Sequence, residues 1–310
     1  VPTPLPRNSA NAESGKGVAA KMVKSTKRKI EDLIIAMICF LFIILCLLPV
    51  VNILARSLSS TQALINNRVS IIPVDFTLES YHYVLKDVAF VRSLWWTAVL
   101  TLICTLVSLA MTILCSYPLI FDSLKGRKFL NGMMLLTMYF SAGTIPNYLL
   151  MKDLDLINKP LVLIIPNCLS IFNMIILRSF LYGIPDSLRE SAQLDGAGPV
   201  AILRKIYLPL SKPVLATLAL FYAVGRWNGF SDALMYLPDA KYAPIQLKLY
   251  QVINNLSAIE TAQQEGFSAP MASEGLKAAS VMFATIPIVI IYPFLQKHFI
   301  SGVTLGAIKE

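Results

Sequence analysis

The sequence predicts an all-α, polytopic membrane protein of about six transmembrane helices with a helix–turn–helix connector on one side. Three observations predict it. The 310 residues are 56% hydrophobic and 15% charged, with mean hydropathy +0.65, too apolar for an ordinary soluble enzyme. Six apolar runs each approach the ~20 residues that a helix needs to cross a hydrocarbon layer of ~30 Å. One polar, turn-rich segment, residues 185–213, lies between the fourth and fifth runs.

Residues 1–29 are rich in Pro, Ser, Asn, Gly and Lys and are expected to be a basic, disordered tail or an expression remnant. Residues 30–300 form the membrane domain, with spans at about 33–54, 94–117, 130–151, 161–181, 214–227 and 278–299. The fifth is short and is expected to extend to Leu234. Residues 301–310 form a C-terminal tail. Lys21, Lys24, Lys27, Arg28 and Lys29 precede the first span, Lys125, Arg127 and Lys128 fill the second connector, and Arg189, Arg204, Lys205 and Lys212 fill the fourth. Positive residues beside spans stay in the cytoplasm, so both termini and the segment 185–213 are expected there. The connectors 55–93 and 238–277 then fall outside. This distribution accounts for the charge of +9 without nucleic acid.

The spans are more than anchors. Pro118, Pro146, Pro166 and Pro287 lie in or at the ends of runs, where each removes a backbone hydrogen bond. Asn147, Asn167 and Asn173 need polar partners inside a bundle, as pathway groups or as glue between helices. Cys39, Cys46, Cys104, Cys115 and Cys168 all fall in apolar runs, are odd in number and read as packing residues.

Within residues 185–213, Ser187 is expected to cap a short helix, with Glu190 three residues on as its capping-box partner. Gly196 permits a reversal at positive φ, and Gly198-Pro199 leads into a second helix over 200–207. Pro209 and Pro213 close it and lead into the fifth span. The product is a compact helix–turn–helix continuous with two membrane helices.

Glu190-Ser191-Ala192, three residues, Gly196, nine residues, then Ile206-Tyr207-Leu208-Pro209 resembles the EAA loop of binding-protein-dependent ABC importer permeases. Ser191 replaces the first alanine. Residues 222–230 (YAVGRWNGF), then 232–237 (DALMYL), are similar to the fifth helix and exit of carbohydrate-importer permeases, the MalG-like subunits and more closely the LplC/YtcP-type group. Residues 73–78 (PVDFTL) and 302–309 (GVTLGAIK) resemble that group's first external loop and C-terminal tail. Pro199 and Glu310 depart from the usual polar residue and glycine. The similarity covers Lys27 to the end.

The resemblance implies a non-catalytic subunit in the cell membrane of an ATP-driven oligosaccharide importer. Its partners would be a second homologous permease, two ATPase subunits that hold ATP and Mg2+, an extracytoplasmic solute-binding protein, and lipid. It further implies that Glu190, Ser191, Ala192, Asp195, Gly196, Ala197, Gly198, Ile206, Leu208 and Pro209 engage the ATPase. Glu190 serves equally as a local cap by spacing alone.

The residues themselves support a chain with no chemistry of its own. No G-x-x-x-x-G-K-[ST] phosphate loop occurs, and Gly15-Lys16-Gly17 lacks its spacing. No metal or nucleophile constellation stands out, and the two histidines, His82 and His298, flank spans. Arg226, Trp227, Asn228 and Asp232 are the candidate pathway contacts. An aromatic face and hydrogen-bonding groups suit a sugar, while an interfacial Trp beside a snorkelling Arg is the plainer alternative. Peptide, amino-acid or osmolyte cargo is the alternative substrate class. An ion-coupled carrier is the other, and it would need carboxylates within the spans.

Overall fold

The computed structural model describes residues 26–264 and 273–307, all helices, turns and loops. Residues 1–25 of the predicted tail 1–29 and the last three residues of the predicted C-terminal tail lie outside that range, and the remaining Thr26–Lys29 are not a disordered tail but the first turn of a helix. Two compact units are defined, residues up to Val50 and residues from Val51 onward.

The first unit is the bulk of α1 (Thr26–Ser57), an apolar helix with every described side chain from Ile30 to Val50 exposed. Such a surface is stable against lipid or a partner, not water.

The second unit contains α2 (Thr61–Ile65), α3 (Glu79–Lys86) and α4 (Val88–Ser116), followed by a 3₁₀ turn at Pro118–Ile120. Asp87 starts α4 by accepting from the amides of Ala89 (2.9 Å) and Phe90 (3.1 Å), satisfying two orphan donors. Then come α5 (Arg127–Tyr139), α6 (Thr144–Asp153), α7 (Leu161–Ile164) and α8 (Ile171–Tyr182). Next are α9 (Asp186–Leu194), α10 (Pro199–Ile202), a π turn over Leu203–Tyr207, and α11 (Leu208–Leu210). The unit closes with α12 (Lys212–Trp227), α13 (Ser231–Tyr236), α14 (Ile245–Gln264) and α15 (Ser273–Ala307).

Helix α4 is the hub: α8, α12 and α14 pack on it, and α15 packs on α3, α12 and α14. Leu100, Val162, Leu163 and Leu218 are fully buried around it. Truncating any of the three leucines to alanine should cost about 2–5 kcal/mol through lost burial and the cavity left behind.

Among the described residues, three helices are long and apolar enough to cross a membrane, and a fourth qualifies if the pair joined at Ser211 is one bent span. About six spans were expected, and the difference has local causes. The third run divides into α5 and α6 because the chain turns extended at Phe140 and Gly143 takes φ 92°. The fourth divides into α7 and α8 because Pro166 has no N–H to continue the ladder. Ser170 restarts the helix by accepting from the Asn173 amide. The fifth ends at Trp227 rather than continuing to Leu234, with Asn228 as its C-cap and a fresh start at Ser231. Backbone breaks of this kind survive at membrane depth only where other groups satisfy the freed amides and carbonyls.

The sixth run lies within α15, whose helical backbone includes Pro287 and Pro293 and continues to Ala307, through part of the predicted tail. The described part of the connector 238–277 is largely helical, since α14 occupies it and packs on α4 and α15. The Thr97 hydroxyl of α4 accepts from the Ile245 amide at 2.7 Å and so fixes where α14 begins.

Candidate functional site

Two regions hold the residues singled out by sequence: the block 185–213 and a cavity at the far end of α12.

The block is a helix–turn–helix, with one correction at its start. Helix α9 begins at Asp186, one residue before the expected Ser187 cap, and its N-cap position is Pro185 without a side-chain cap bond. Pro185 holds φ near −59°, and the Asp186 carboxylate in the first turn suits the positive helix end. Ser187 is therefore inside the helix, where its carbonyl accepts from Ser191 Oγ at 2.8 Å. Glu190 makes no cap. It is exposed, with only Arg189 near it, at 4.0 Å. Arg189 itself pairs with Asp186 at 3.1 Å and lies over the Phe121 ring.

Gly196 turns the chain at φ 78°, a left-handed conformation that side chains with Cβ resist. Gly198 is extended and Pro199 takes the first helical position of α10, where its missing N–H is no loss. The π turn follows because Pro209 would crowd the Lys205 carbonyl in a regular α-helix, and the wider turn relieves that clash. At Ser211 the chain bends by 80° into α12.

One side of the block is fastened. Ile202 and Tyr207 are buried with Tyr117, Leu177, Leu181, Val214 and Leu218, and Ala192, Ala197 and Ile206 pack against that cluster. The Tyr117 hydroxyl donates to the Pro199 carbonyl at 2.9 Å, and its ring meets that of Tyr207 edge-on at 5.3 Å. The other side is open: Leu194 is 90% exposed and Val200 77%, with Glu190, Ser191, Asp195, Gly196 and Gly198 also exposed. Leu208 is half-buried and Pro209 exposed.

The cavity, about 800 Å³, is bounded by α4, the break between α7 and α8, the end of α12 and the start of α13. Polar side chains of Asn167, Asn173, Asn228 and Asp232 share its wall with Phe172 and Phe230. Arg226 and Asp232 form a two-point ion pair, Nη1 to Oδ2 at 2.5 Å and Nη2 to Oδ1 at 3.0 Å. Arg226 Nη1 also donates to the Leu163 carbonyl (3.4 Å), while its buried Nε has no hydrogen-bond partner. Asn167 Nδ2 donates to Asp232 Oδ2 (3.2 Å), tying the α7–α8 break to α13.

Arg226, Asn228 and Asp232 thus lie together at this wall. Trp227 points elsewhere: it is 7% exposed, and its indole N–H donates to the Ala284 carbonyl in α15 at 3.4 Å. Neighbours on one helix are turned about 100° apart, and that step carries Trp227 past the edge of the wall that Arg226 reaches.

Sequence reading missed the row on α4 that supports the cavity. Ser108 Oγ donates to the Asn167 carbonyl and Ser116 Oγ to the Met174 carbonyl, both at 3.2 Å. Thr112 gives its proton to the Ser108 carbonyl, so the Tyr222 hydroxyl donates to Thr112 Oγ1 at 2.7 Å and accepts from the Ser170 amide at 3.1 Å. The contacts to the Asn167 carbonyl and the Ser170 amide satisfy backbone exposed by the broken fourth run. The available signal was Ser108, Thr112 and Ser116 at every fourth position, a single helical face.

Comparison with known proteins agrees with this architecture. The family described as "Binding-protein-dependent transport system inner membrane component" matches residues 18–305. The polygalacturonan/rhamnogalacturonan transport system permease protein YtcP of Bacillus subtilis (strain 168) is 37% identical over 284 residues, covering 91% of this chain and 99% of the relative. Protein LplC of the same organism is 40% identical over 265 residues, 85% of this chain and 89% of the relative. A chain in the crystal structure of a bacterial ABC transporter involved in the import of the acidic polysaccharide alginate superposes with TM-score 0.82 at 32% identity, over 89% of this chain and 99% of that one.

Proposed function

The chain belongs to the family of binding-protein-dependent transport system inner membrane components, and from that membership we propose that it forms half of the translocation pathway of an ATP-driven oligosaccharide importer. As a non-catalytic permease subunit it works through partners: a second homologous permease, two ATPase subunits and an extracytoplasmic solute-binding protein. It crosses the cell membrane six times, the third and fourth crossings being the broken pairs α5–α6 and α7–α8, with both termini and the block 185–213 in the cytoplasm. The exposed apolar side chains of Ile30 to Val50, and those of α5, face lipid or the partner permease.

The observation that carries this reading is the position of α12. It leaves the block at Lys212 and reaches the cavity wall at Arg226, so one helix joins the two. Closure of the ATPase pair on ATP would move a block fastened by Tyr117 and Tyr207, and α12 would carry that motion to the wall. ATP shifts this equilibrium because it binds the closed pair more tightly than the open one. Glu190, Ser191, Asp195 and Gly196 on the open side, with the exposed Leu194, form the ATPase contact. The half-buried Ala192, Ala197, Ile206 and Leu208 hold its shape.

An ion-coupled carrier is less well supported. Among the described residues, Asp232 is the only carboxylate at the cavity, and Arg226 already pairs with it. The test is uptake of oligosaccharides into proteoliposomes that contain the assembled importer. Uptake should require ATP inside and the binding protein outside. Uptake that continues without the ATPase subunits would overturn the proposal.

A further inference from the structure

We propose that Asn173 binds the sugar directly, its side-chain amide reading two neighbouring ring hydroxyls, and that Asn228 is the second such reader. This rests on the reading of the chain as a saccharide permease and names the contact by which its cavity holds cargo.

The charged pair at this wall is already satisfied by protein. Asp232 accepts from Arg226 at both oxygens, from Asn167 Nδ2 and from the Ala233 amide. Asn167 Nδ2 also donates to the Leu163 carbonyl at 3.3 Å. The Tyr222 hydroxyl is held between Thr112 and the Ser170 amide. These groups build the wall and join its helices.

Asn173 differs from them. It is 5% exposed and lines the cavity, yet among the described residues its side-chain amide makes no hydrogen bond. Its backbone N–H is taken by Ser170 Oγ at 3.3 Å, so the start of α8 asks nothing of the side chain. Buried polar groups are nearly always partnered, because a dry one loses its hydration and gains nothing in return. An amide placed this way does not glue helices together. Its partner is what enters the cavity. Asn228, the C-cap of α12, lines the same cavity and also makes no side-chain hydrogen bond among the described residues.

The chemistry of a carboxamide suits a sugar. Its oxygen accepts and its N–H groups donate in one plane. One hydroxyl can therefore donate to Oδ1 while the oxygen of the next accepts from Nδ2. Phe172, the preceding residue, is 56% exposed at the cavity and stacks on no other ring among the described residues. Its face is open to the C–H side of a sugar. The volume of about 800 Å³ falls within the roughly 300–1,000 Å³ of small-molecule sites. Such a contact depends on ring hydroxyls and not on charge, so neutral and carboxylate-bearing units both satisfy it.

The test uses the complete importer with short oligosaccharides of glucose, galactose, xylose and galacturonate, each also supplied in its monodeoxy forms. One arm reads ATP-dependent uptake into proteoliposomes with the binding protein present. The second reads sugars retained by the importer in nanodiscs without the binding protein, by native mass spectrometry, so that the permeases alone select. Melting temperature is measured on the same samples.

For the sugar best retained by the unaltered importer, Asn173→Leu should lower retention about tenfold, the ratio that about 1.4 kcal/mol produces. The melting temperature should not fall, since an apolar side chain of similar size replaces a buried amide that no protein group needs. One monodeoxy form should show a loss of the same size, and in Asn173→Leu that form should be retained as well as its parent, because variant and ligand then lack the two halves of one contact. Asn228→Ala carries the same comparison should Asn173→Leu fail to assemble. Retention unmoved by the substitutions, a deoxy penalty that persists in full in them, or a fall in melting temperature that accounts for the loss overturns the inference. So does an unaltered importer that retains no sugar while uptake in the first arm stands. No uptake of any oligosaccharide overturns the proposed function and this inference with it.

Discussion

The Arg226 guanidinium occupies the space that a side chain on Gly229 would need: a Cβ placed there would lie 2.7 Å from Arg226 Cζ. Gly229 is thus the residue that lets Arg226 turn toward Asp232. Gly229→Ala should force the guanidinium off its carboxylate and remove charge-assisted hydrogen bonds that contribute about 1.5–3 kcal/mol each. Uptake should fall while the subunits still co-purify. A double-mutant cycle with Asp232→Asn checks the cause, since the two changes should then be strongly non-additive. Full additivity would contradict the link.

Tyr117 holds the block 185–213 through one hydroxyl. Tyr117→Phe keeps the ring contact with Tyr207 but leaves the Pro199 carbonyl without that donor, at a cost of about 1 kcal/mol. Sugar imported per ATP hydrolysed should drop, because a looser block dissipates the ATPase motion. Measured coupling equal to that of the unaltered chain would show that Tyr117 does not brace the block.

At Gly196 the requirement is conformational, since nothing lies within 4 Å of a Cβ there while φ is 78°. Gly196→Ala should cost about 1–2 kcal/mol in the left-handed region. Gly196→Asn should retain more transport than Gly196→Ala, because asparagine tolerates that region better. The reverse order in an uptake assay would mean that side-chain size, not backbone angle, matters.

Glu190 is exposed and free of capping bonds, so Glu190→Ala should change the thermal stability of the isolated subunit by no more than about 0.5 kcal/mol. ATPase retention on affinity-purified importer should nonetheless fall. A stability loss matching the loss of retention would return Glu190 to a purely local role.

The sequence carried the helical class, the reversal at Gly196 and the meeting of Arg226, Asn228 and Asp232. Each depends on local spacing or on a residue's own backbone freedom. The breaks at Gly143 and Pro166 were marked by their residues, yet hydropathy averages over such points and reports one continuous run. The Ser187 cap failed because Pro185 and Asp186 make an equally good helix start one residue earlier. Trp227 was grouped with its neighbours by adjacency, although helical geometry sends it to Ala284. The hydroxyl row of α4 escaped notice because serine and threonine inside an apolar run lower its hydropathy without interrupting it.

Helix α4 has no internal proline, whereas the rest of the membrane domain changes direction at Phe140–Gly143, Ile165–Ser170, Ser211 and Asn228–Phe230. At 1.5 Å per residue it is an uninterrupted strut of about 43 Å. Deformation during a working cycle therefore concentrates in the four joints, and the strut behaves as a keel about which they flex. A cross-link anywhere along α4 to a neighbour above or below a joint would freeze one joint at a time, so the order in which they act becomes measurable.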